Sequence, residues 1–384
     1  MLLNMVSRFI KNKTQIEMMK KSNNNLAILL IVLMVLPYIG NAQIKQSENI
    51  VVITLDGFRW REIFSGADSL LTFDTTAKYN TEYVQQKFWA SSADERRKKL
   101  LPFLWTELAE KGVLLGNRNY GNNVDNANRY RFSYPGYNEI FTGYPDTLVN
   151  SNDKIPNHNE NVFEFLNKLP AFKGKTAVFG SWDVFASIFN EGRSGFLVND
   201  GFRDVQGTLN EKQKLFNQQQ HEMPDLFHGG ERLDVSTFYI GLEYMKVNKP
   251  RLMHFGFGDT DEFAHEGKYD YYLDAANKAD AWIRQIWEYI QATPKYKNKT
   301  TLIITTDHGR GPATGAKWRD HGSDVVAANE IWMAAIGPSV QSVGESKIGE
   351  QFYQGQIAAT IAAFLGKEFK TNHPVLPAMQ LSGK

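Results

Sequence analysis

IleValValIleThrLeuAspGly, residues 50–57, is a run of six apolar or β-branched residues that ends on a carboxylate and a glycine. With no polar alternation, it reads as a strand buried on both faces, the pattern of a parallel sheet. Gly57 permits a sharp turn that leaves Asp56 at the exposed carboxyl end of the strand. Comparable runs recur at 113–115, 176–179, 252–257, 301–305 and 331–336. Between them, residues 100–111, 161–169, 271–291 and 356–365 have helical periodicity. In the third of these, Leu273, Ala276, Ala279, Ile283, Ile286, Trp287 and Ile290 lie along one side. Alternation of such units predicts an α/β fold, a mainly parallel central sheet with helices on both faces. The polar stretch 212–232 lacks a clear period and reads as a surface cap, an insertion spanning about 205–235.

The rest of the chain narrows the setting. Lys20 and Lys21 precede an apolar run at 26–40, then Gly40 and Ala42, so residues 1–42 read as a signal peptide cleaved after Ala42, with the start at Met18 or Met19. Residues 43–384 then form one domain, with no repeat or linker to divide it. The implied location is periplasmic or extracellular, without a membrane contact after cleavage. An uncleaved N-terminal anchor is the alternative, although the run is shorter than the ~20 residues a spanning helix needs. Cysteine is absent, which excludes disulfides and thiolate metal sites. With 43 basic and 42 acidic residues, no global charge points to a nucleic-acid polymer or an anionic membrane.

Chemistry concentrates at the strand ends. Asp307 and His308 leave the run at 301–306 and precede Gly309, repeating the geometry of Asp56 and Gly57. Asp261 and His265 are four apart, so on a helix they share a face and reach a single ion. His321 lies thirteen residues after His308, between Asp320 and Gly322. Each feature alone is compatible with a turn or a cap. Together they supply oxygen and nitrogen ligands for two metal ions. Ser133, in SerTyrProGlyTyrAsnGluIlePhe, sits where a loop enters a helix, as a nucleophile or simply as a helix cap.

LeuAspGly at 55–57, SerTyrProGly at 133–136, ThrGly at 142–143, Asp261-x-x-x-His265, ThrAspHisGly at 306–309 and His321–Gly322 occur in the order typical of the alkaline phosphatase superfamily, which this chain resembles over most of its length. The resemblance implies one metal on Asp261, His265 and His321, a second on Asp56, Asp307 and His308, and Ser133 as the catalytic nucleophile. Both ions are divalent, zinc or alternatively manganese. It implies in-line cleavage of a small-molecule phosphate ester, with a lean to diesters because PheGlySerTrpAspValPhe from Phe179 resembles the nucleotide pyrophosphatase/phosphodiesterase branch. A phosphomonoesterase is the alternative. A sulfatase fits less well, since Tyr137 stands where that family has arginine, and a non-catalytic metal-stabilised binding protein has no need of Ser133. Asn157, Tyr134 and Arg59 are the candidate substrate contacts: an amide donor, a stacking ring and a charge for the phosphoryl group. Arg61, Lys154, Lys317 and Arg319 are further sources of that charge. Oligomeric state is not legible in the sequence.

Overall fold

The computed structural model describes residues 45–381, which lie in a compact unit beginning at Ile44. The signal-peptide reading of residues 1–42 falls outside the described residues. Eight strands form the central sheet. In chain order they are β1 (Asn49–Leu55), β2 (Gly112–Leu115), β4 (Thr176–Gly180), β5 (Leu197–Asp200), β6 (Leu252–Phe257), β7 (Thr300–Thr305), β9 (Met333–Ile336) and β10 (Gly344–Glu345). A second sheet joins β3 (Asn122–Asp125), β8 (Glu330–Ile331) and β11 (Glu350–Tyr353) in the order β11-β3-β8.

The central order is β10-β2-β9-β7-β1-β6-β4-β5. β1 pairs in parallel with β6 on one side and β7 on the other, in registers that oppose Leu55 to Phe257 and Thr54 to Thr305. Three neighbouring strands therefore release their chains at the same edge, and the ligand-bearing turns after β1, β6 and β7 start side by side. The sheet is mainly parallel, as the apolar runs imply, with one exception. β9 runs antiparallel to both β2 and β7. The run at 331–336 is also not a single strand: it divides at buried Trp332, with Ile331 in the small sheet and Met333 in the large one. Direction is not legible there because a strand buried on both faces carries the same residues either way.

Helices cover both faces. Those used below are α1 (Ser133–Thr142), α2 (Val162–Asn167), α3 (Glu211–Glu222), α4 (Asp234–Asn248), α5 (Asp259–His265), α6 (Tyr269–Ala292) and α7 (Gln356–Phe364). All seven apolar positions expected along one side of α6 are buried. Asp280, within that buried face, accepts the backbone N–H groups of Phe103 and Leu104 at 2.7 and 2.9 Å, which explains a carboxylate there. The helix expected over 100–111 is interrupted. Leu100 ends a helix that begins at Ala93, and Leu104–Leu108 makes wide turns leading into Ala109–Lys111. Pro102 explains the break, since it forces Leu101 towards extended backbone and has no N–H to donate. The polar stretch near 212–232 contains α3, which packs on α4 outside the sheet. Its start is fixed by a reciprocal cap between Asn210 and Gln213, a signal that hydrophobic periodicity does not register.

His254, in the middle of β6, faces the rings of Phe141, Phe185 and Phe189, and its Nε2 lies 3.0 Å from Thr54 Oγ1. Burial pushes the imidazole down to about 3. The folded state thus binds fewer protons than the unfolded chain between about pH 3 and an unfolded value of about 6.5. Stability supplied by this group is complete above that window and is lost as pH falls through it, by up to about 1.4 kcal/mol per unit. His254→Gln keeps an acceptor for Thr54 and removes the titration. Urea unfolding from pH 7.5 to 5 is expected to show a shallower acid loss in the variant, and parallel profiles would refute this.

Candidate active site

β1 ends at Leu55, and Gly57 takes a left-handed φ of 56°, so the chain turns away and leaves the Asp56 carboxylate at the sheet edge. A Cβ on Gly57 would lie 2.5 Å from Asp261 Oδ1 and 2.8 Å from Arg310 Nε, so the turn also needs glycine for space. Thr260 Oγ1 donates to the Asp56 carbonyl at 2.6 Å, binding the start of α5 to the end of β1. Two residues beyond β7, the Asp307 carboxylate accepts the Gly57 N–H at 3.1 Å. Gln354 Nε2 donates to the carbonyls of Thr306 and Asp307 and fixes that turn from the other side.

Ser133 is the first residue of α1. Its hydroxyl does not cap the helix, because the N-cap position is Phe132. Ser133 Oγ instead lies 3.4 Å from His308 Nε2, and the residue is buried. α1 lies against the Asp307 turn closely enough that a Cβ on Gly136 would sit 2.4 Å from the Asp307 carbonyl oxygen. Gly322 N–H donates to the Arg131 carbonyl at 2.9 Å, which ties the loop of His321 to the chain entering α1. Four stretches that are remote in sequence therefore meet around one serine.

The histidines lie close to the carboxylates and to one another. His308 Nδ1 lies 3.0 Å from its neighbour's carbonyl, Gly309 O, which leaves Nε2 facing Asp56 Oδ1 at 3.3 Å, Asp307 Oδ2 at 3.4 Å and Asp261 Oδ1 at 3.7 Å. His308 and His321 stack with ring centroids 3.9 Å apart. His265 Nε2 lies 3.0 Å from both Asp261 Oδ2 and His321 Nε2. Among the described residues, two triads have donor atoms mutually within 4.8 Å: Asp56, Asp307 and His308, the set that the family resemblance implies, and Asp261, His308 and His321. The second takes His308 where the sequence has His265, which adjoins it with its side chain partly in solvent.

Burial and charge fit the triads to cations. Among the described residues, Asp56 Oδ1 and Asp307 Oδ2 are buried without a hydrogen-bond partner, and so is His321 Nδ1. Unpaired buried carboxylate oxygens are costly unless a cation completes them. Burial, and then the neighbouring Asp56, pushes the Asp307 carboxyl far above the usual range. Burial opposes charge on His308, but Asp307 and Asp56 outweigh it and raise the imidazole to about 9. Burial, reinforced by His308, pushes His265 and His321 down, so these two imidazoles favour the neutral form that a metal ligand requires. Mixed carboxylate and imidazole donors suit zinc and also manganese.

The three expected substrate contacts are engaged elsewhere. Arg59 is buried and gives Nε and Nη2 to Glu62 and Nη1 to the Gly311 carbonyl. Burial opposes its charge and Glu62 more than offsets this, so the guanidinium stays charged and is paired inside the fold. Tyr134 donates its hydroxyl to the carbonyls of Ile155 and Ser187 and is a core residue. Asn157 donates to Asn138 Oδ1 and accepts from Asn159 N, which holds the loop before α2. Lys154 is paired with Asp183. Residues not singled out as polar site members do reach the site. Tyr137 donates to Asp56 Oδ2 at 3.0 Å, Asn152 Oδ1 accepts the Tyr134 N–H in the first turn of α1, and the Arg310 guanidinium contacts Asp261. A basic residue immediately after AspHisGly was the available signal for the last.

Comparison with known proteins bears on the family and the fold. A family model described as type I phosphodiesterase / nucleotide pyrophosphatase matches residues 72–335, more than half of the chain, beginning after Asp56. A search of the curated proteins finds no match. Among solved structures, the chain is similar to the wild-type alkaline phosphatase PafA, with a TM-score of 0.58, 11% identity, and coverage of 88% of this chain and 99% of that one. It is also similar to the lipoteichoic acid synthase LtaP from Listeria monocytogenes, with a TM-score of 0.54, 13% identity and coverage of 88% and 76%. Ps i-CgsB in complex with k-i-k-neocarrahexaose gives a TM-score of 0.54, 14% identity and coverage of 87% and 75%. At these identities the structural likeness establishes an alkaline phosphatase-like fold.

Proposed function

Because this chain belongs to the type I phosphodiesterase / nucleotide pyrophosphatase family, we propose that it is an exported dinuclear metallohydrolase that cleaves small phosphodiesters with Ser133 as nucleophile. At the coarser level it is a hydrolase of the alkaline phosphatase superfamily, whose members act on phosphate or sulfate esters. The observation that carries the finer reading is the placement of Ser133 Oγ, 3.4 Å from the one imidazole shared by both triads.

Asp56, Asp307 and His308 would hold one divalent ion, and Asp261, His265 and His321 the other, with His308 at their boundary. When bound, the two ions supply Lewis acidity that favours the serine alkoxide and offsets charge on the phosphoryl oxygens. Ser133 releases its hydroxyl proton to solvent as Oγ attacks phosphorus in line, the bond to the leaving-group oxygen breaks, and that oxygen takes a proton from solvent to depart as the alcohol. Water then cleaves the phosphoseryl bond and restores Ser133. Tyr137 orients Asp56 through its hydroxyl, and the Thr260 contact keeps β1 and α5 in register during both steps.

The lean to diesters draws on charge. A monoester dianion calls for an additional cation beside the nucleophile. Of the five candidate cations, Arg59 is buried against Glu62 and Lys154 is paired with Asp183. Export follows from the leader reading, and among the described residues no helix is long and apolar enough to cross a membrane. The discriminating experiment assays zinc- or manganese-loaded protein on an aryl phosphodiester, the matching monoester and the matching sulfate. The expected order of kcat/KM is diester, then monoester, then sulfate. Monoester preference would make the protein a phosphomonoesterase, and no turnover of any ester would favour the binding-protein alternative.

A further inference from the structure

We infer that Arg310 is a positioning residue for the metal centre: its guanidinium sets the Asp261 carboxylate and locks together the chain segments that carry the ligands. This rests on the dinuclear reading of the site. Arg310 follows His308 by two residues and is buried. Its Nη2 donates to the Asp261 carbonyl at 3.1 Å and to Asp261 Oδ1. Nε donates to the carbonyl of Gly57, the residue after Asp56, at 3.1 Å. Nη1 donates to the carbonyl of Arg319, two residues before His321. One side chain on the segment after β7 thus reaches the turn after β1, the start of α5 and the loop of His321.

The geometry favours arginine specifically. A planar fork with five N–H donors reaches acceptors in three directions at once, whereas an ammonium group is a single point donor. Asp261 Oδ1, which receives Nη2, is the oxygen that faces His308 at 3.7 Å and His321 at 3.8 Å. Oδ2 faces His265 at 3.0 Å. Held in this way, the carboxylate keeps Oδ1 towards His308 and His321 and Oδ2 towards His265 instead of rotating between them. Gly57 has no side chain because one would collide with both Asp261 and Arg310, so the backbone is built around this contact. The guanidinium also places a positive charge on the Asp261 carboxylate, inside a group of three acidic side chains, Asp56, Asp261 and Asp307.

The test measures zinc affinity by competition with a chromophoric chelator, together with zinc stoichiometry, for the wild type, Arg310→Met and Arg310→Lys. The wild type is expected to bind two zinc ions. Arg310→Met is expected to keep the ion on Asp56, Asp307 and His308 and to bind the other about 10–100-fold more weakly, the usual loss when an outer-sphere partner of a ligand is removed. Arg310→Lys restores charge without the fork and is expected to remain at least about 10-fold weak at that ion. Excess zinc is expected to restore most of the kcat of Arg310→Met, which loss of a purely structural contact would not allow. Wild-type affinity for both ions in Arg310→Met overturns the inference, even if its melting temperature falls. Where Arg310→Met does not fold, wild-type affinity in Arg310→Lys overturns it. A wild-type chain that binds neither zinc nor manganese overturns both this inference and the dinuclear reading, whereas two wild-type ions with unaffected variants overturn this inference alone.

Discussion

Ser133→Ala is expected to lower kcat for phosphate esters by at least about 10³-fold while leaving the melting temperature and the zinc content within error of the wild type. The separation of the two outcomes follows from where the hydroxyl points. A serine at a helix start usually caps it, and loss of such a cap costs ~1 kcal/mol. Here the N-cap is Phe132, the first helical residue is Ser133, and among the described residues Oγ makes one hydrogen-bonding contact, with His308 Nε2. Removal of that oxygen leaves α1 intact and opens a space of about one water molecule. The six candidate ligands are untouched, so metal retention is the control that separates loss of the nucleophile from collapse of the site. Trapping a phosphoserine at low pH with a slow diester, present in the wild type and absent in Ser133→Ala, is the complementary measurement. Turnover that survives the substitution would mean that a solvent nucleophile attacks phosphorus directly.

The features that were legible in the sequence are those that recur with the strand period. Asp56 and Asp307 each follow an apolar run, and the registers of β1 with β6 and β7 bring their turns together as buried parallel strands require. Asp261 and His265 share a face because four residues make one turn of α5, and their side chains meet at 3.0 Å. What was not legible depends on partners distant in the chain. Arg59 looked available for a substrate, yet Glu62 three residues on takes its charge, and the Gly311 carbonyl that completes its bonding comes from beyond β7. Asn157 and Tyr134 carry polar groups that suit a phosphoryl oxygen equally well, but backbone and side-chain groups near Asn138, Ile155 and Ser187 reach them first. Arg310 adjoins the most informative motif in the chain, and its role became visible only with Gly57, Asp261 and Arg319 in place. Pairwise proximity decides each of these cases, and local pattern does not encode it.

Asp307→Asn is expected to have opposite effects on the metal-free and zinc-loaded protein. The substitution keeps size and leaves an oxygen to accept the Gly57 N–H, so the turn after β7 is preserved. It removes one of two adjacent buried carboxylates, Asp56 and Asp307, each with an oxygen that lacks a hydrogen-bond partner among the described residues. Without a metal ion, burial and the neighbouring Asp56 disfavour the ionised Asp307 carboxyl, so in chelator-treated protein at a pH high enough to ionise it the variant is expected to melt at a higher temperature than the wild type. With zinc the order reverses. The wild type gains stability from an ion that binds only the folded chain, by an amount that grows with free zinc, and the variant loses one of three ligands at that ion. Its zinc affinity at this site is expected to fall by more than the about 10–100-fold that an outer-sphere partner costs, and kcat at limiting zinc to fall with it. Melting curves of both proteins in chelator and in a zinc series provide the check. Crossing curves support a carboxylate cluster built for a cation, whereas a variant less stable than the wild type in chelator would show that Asp307 stabilises the fold by itself.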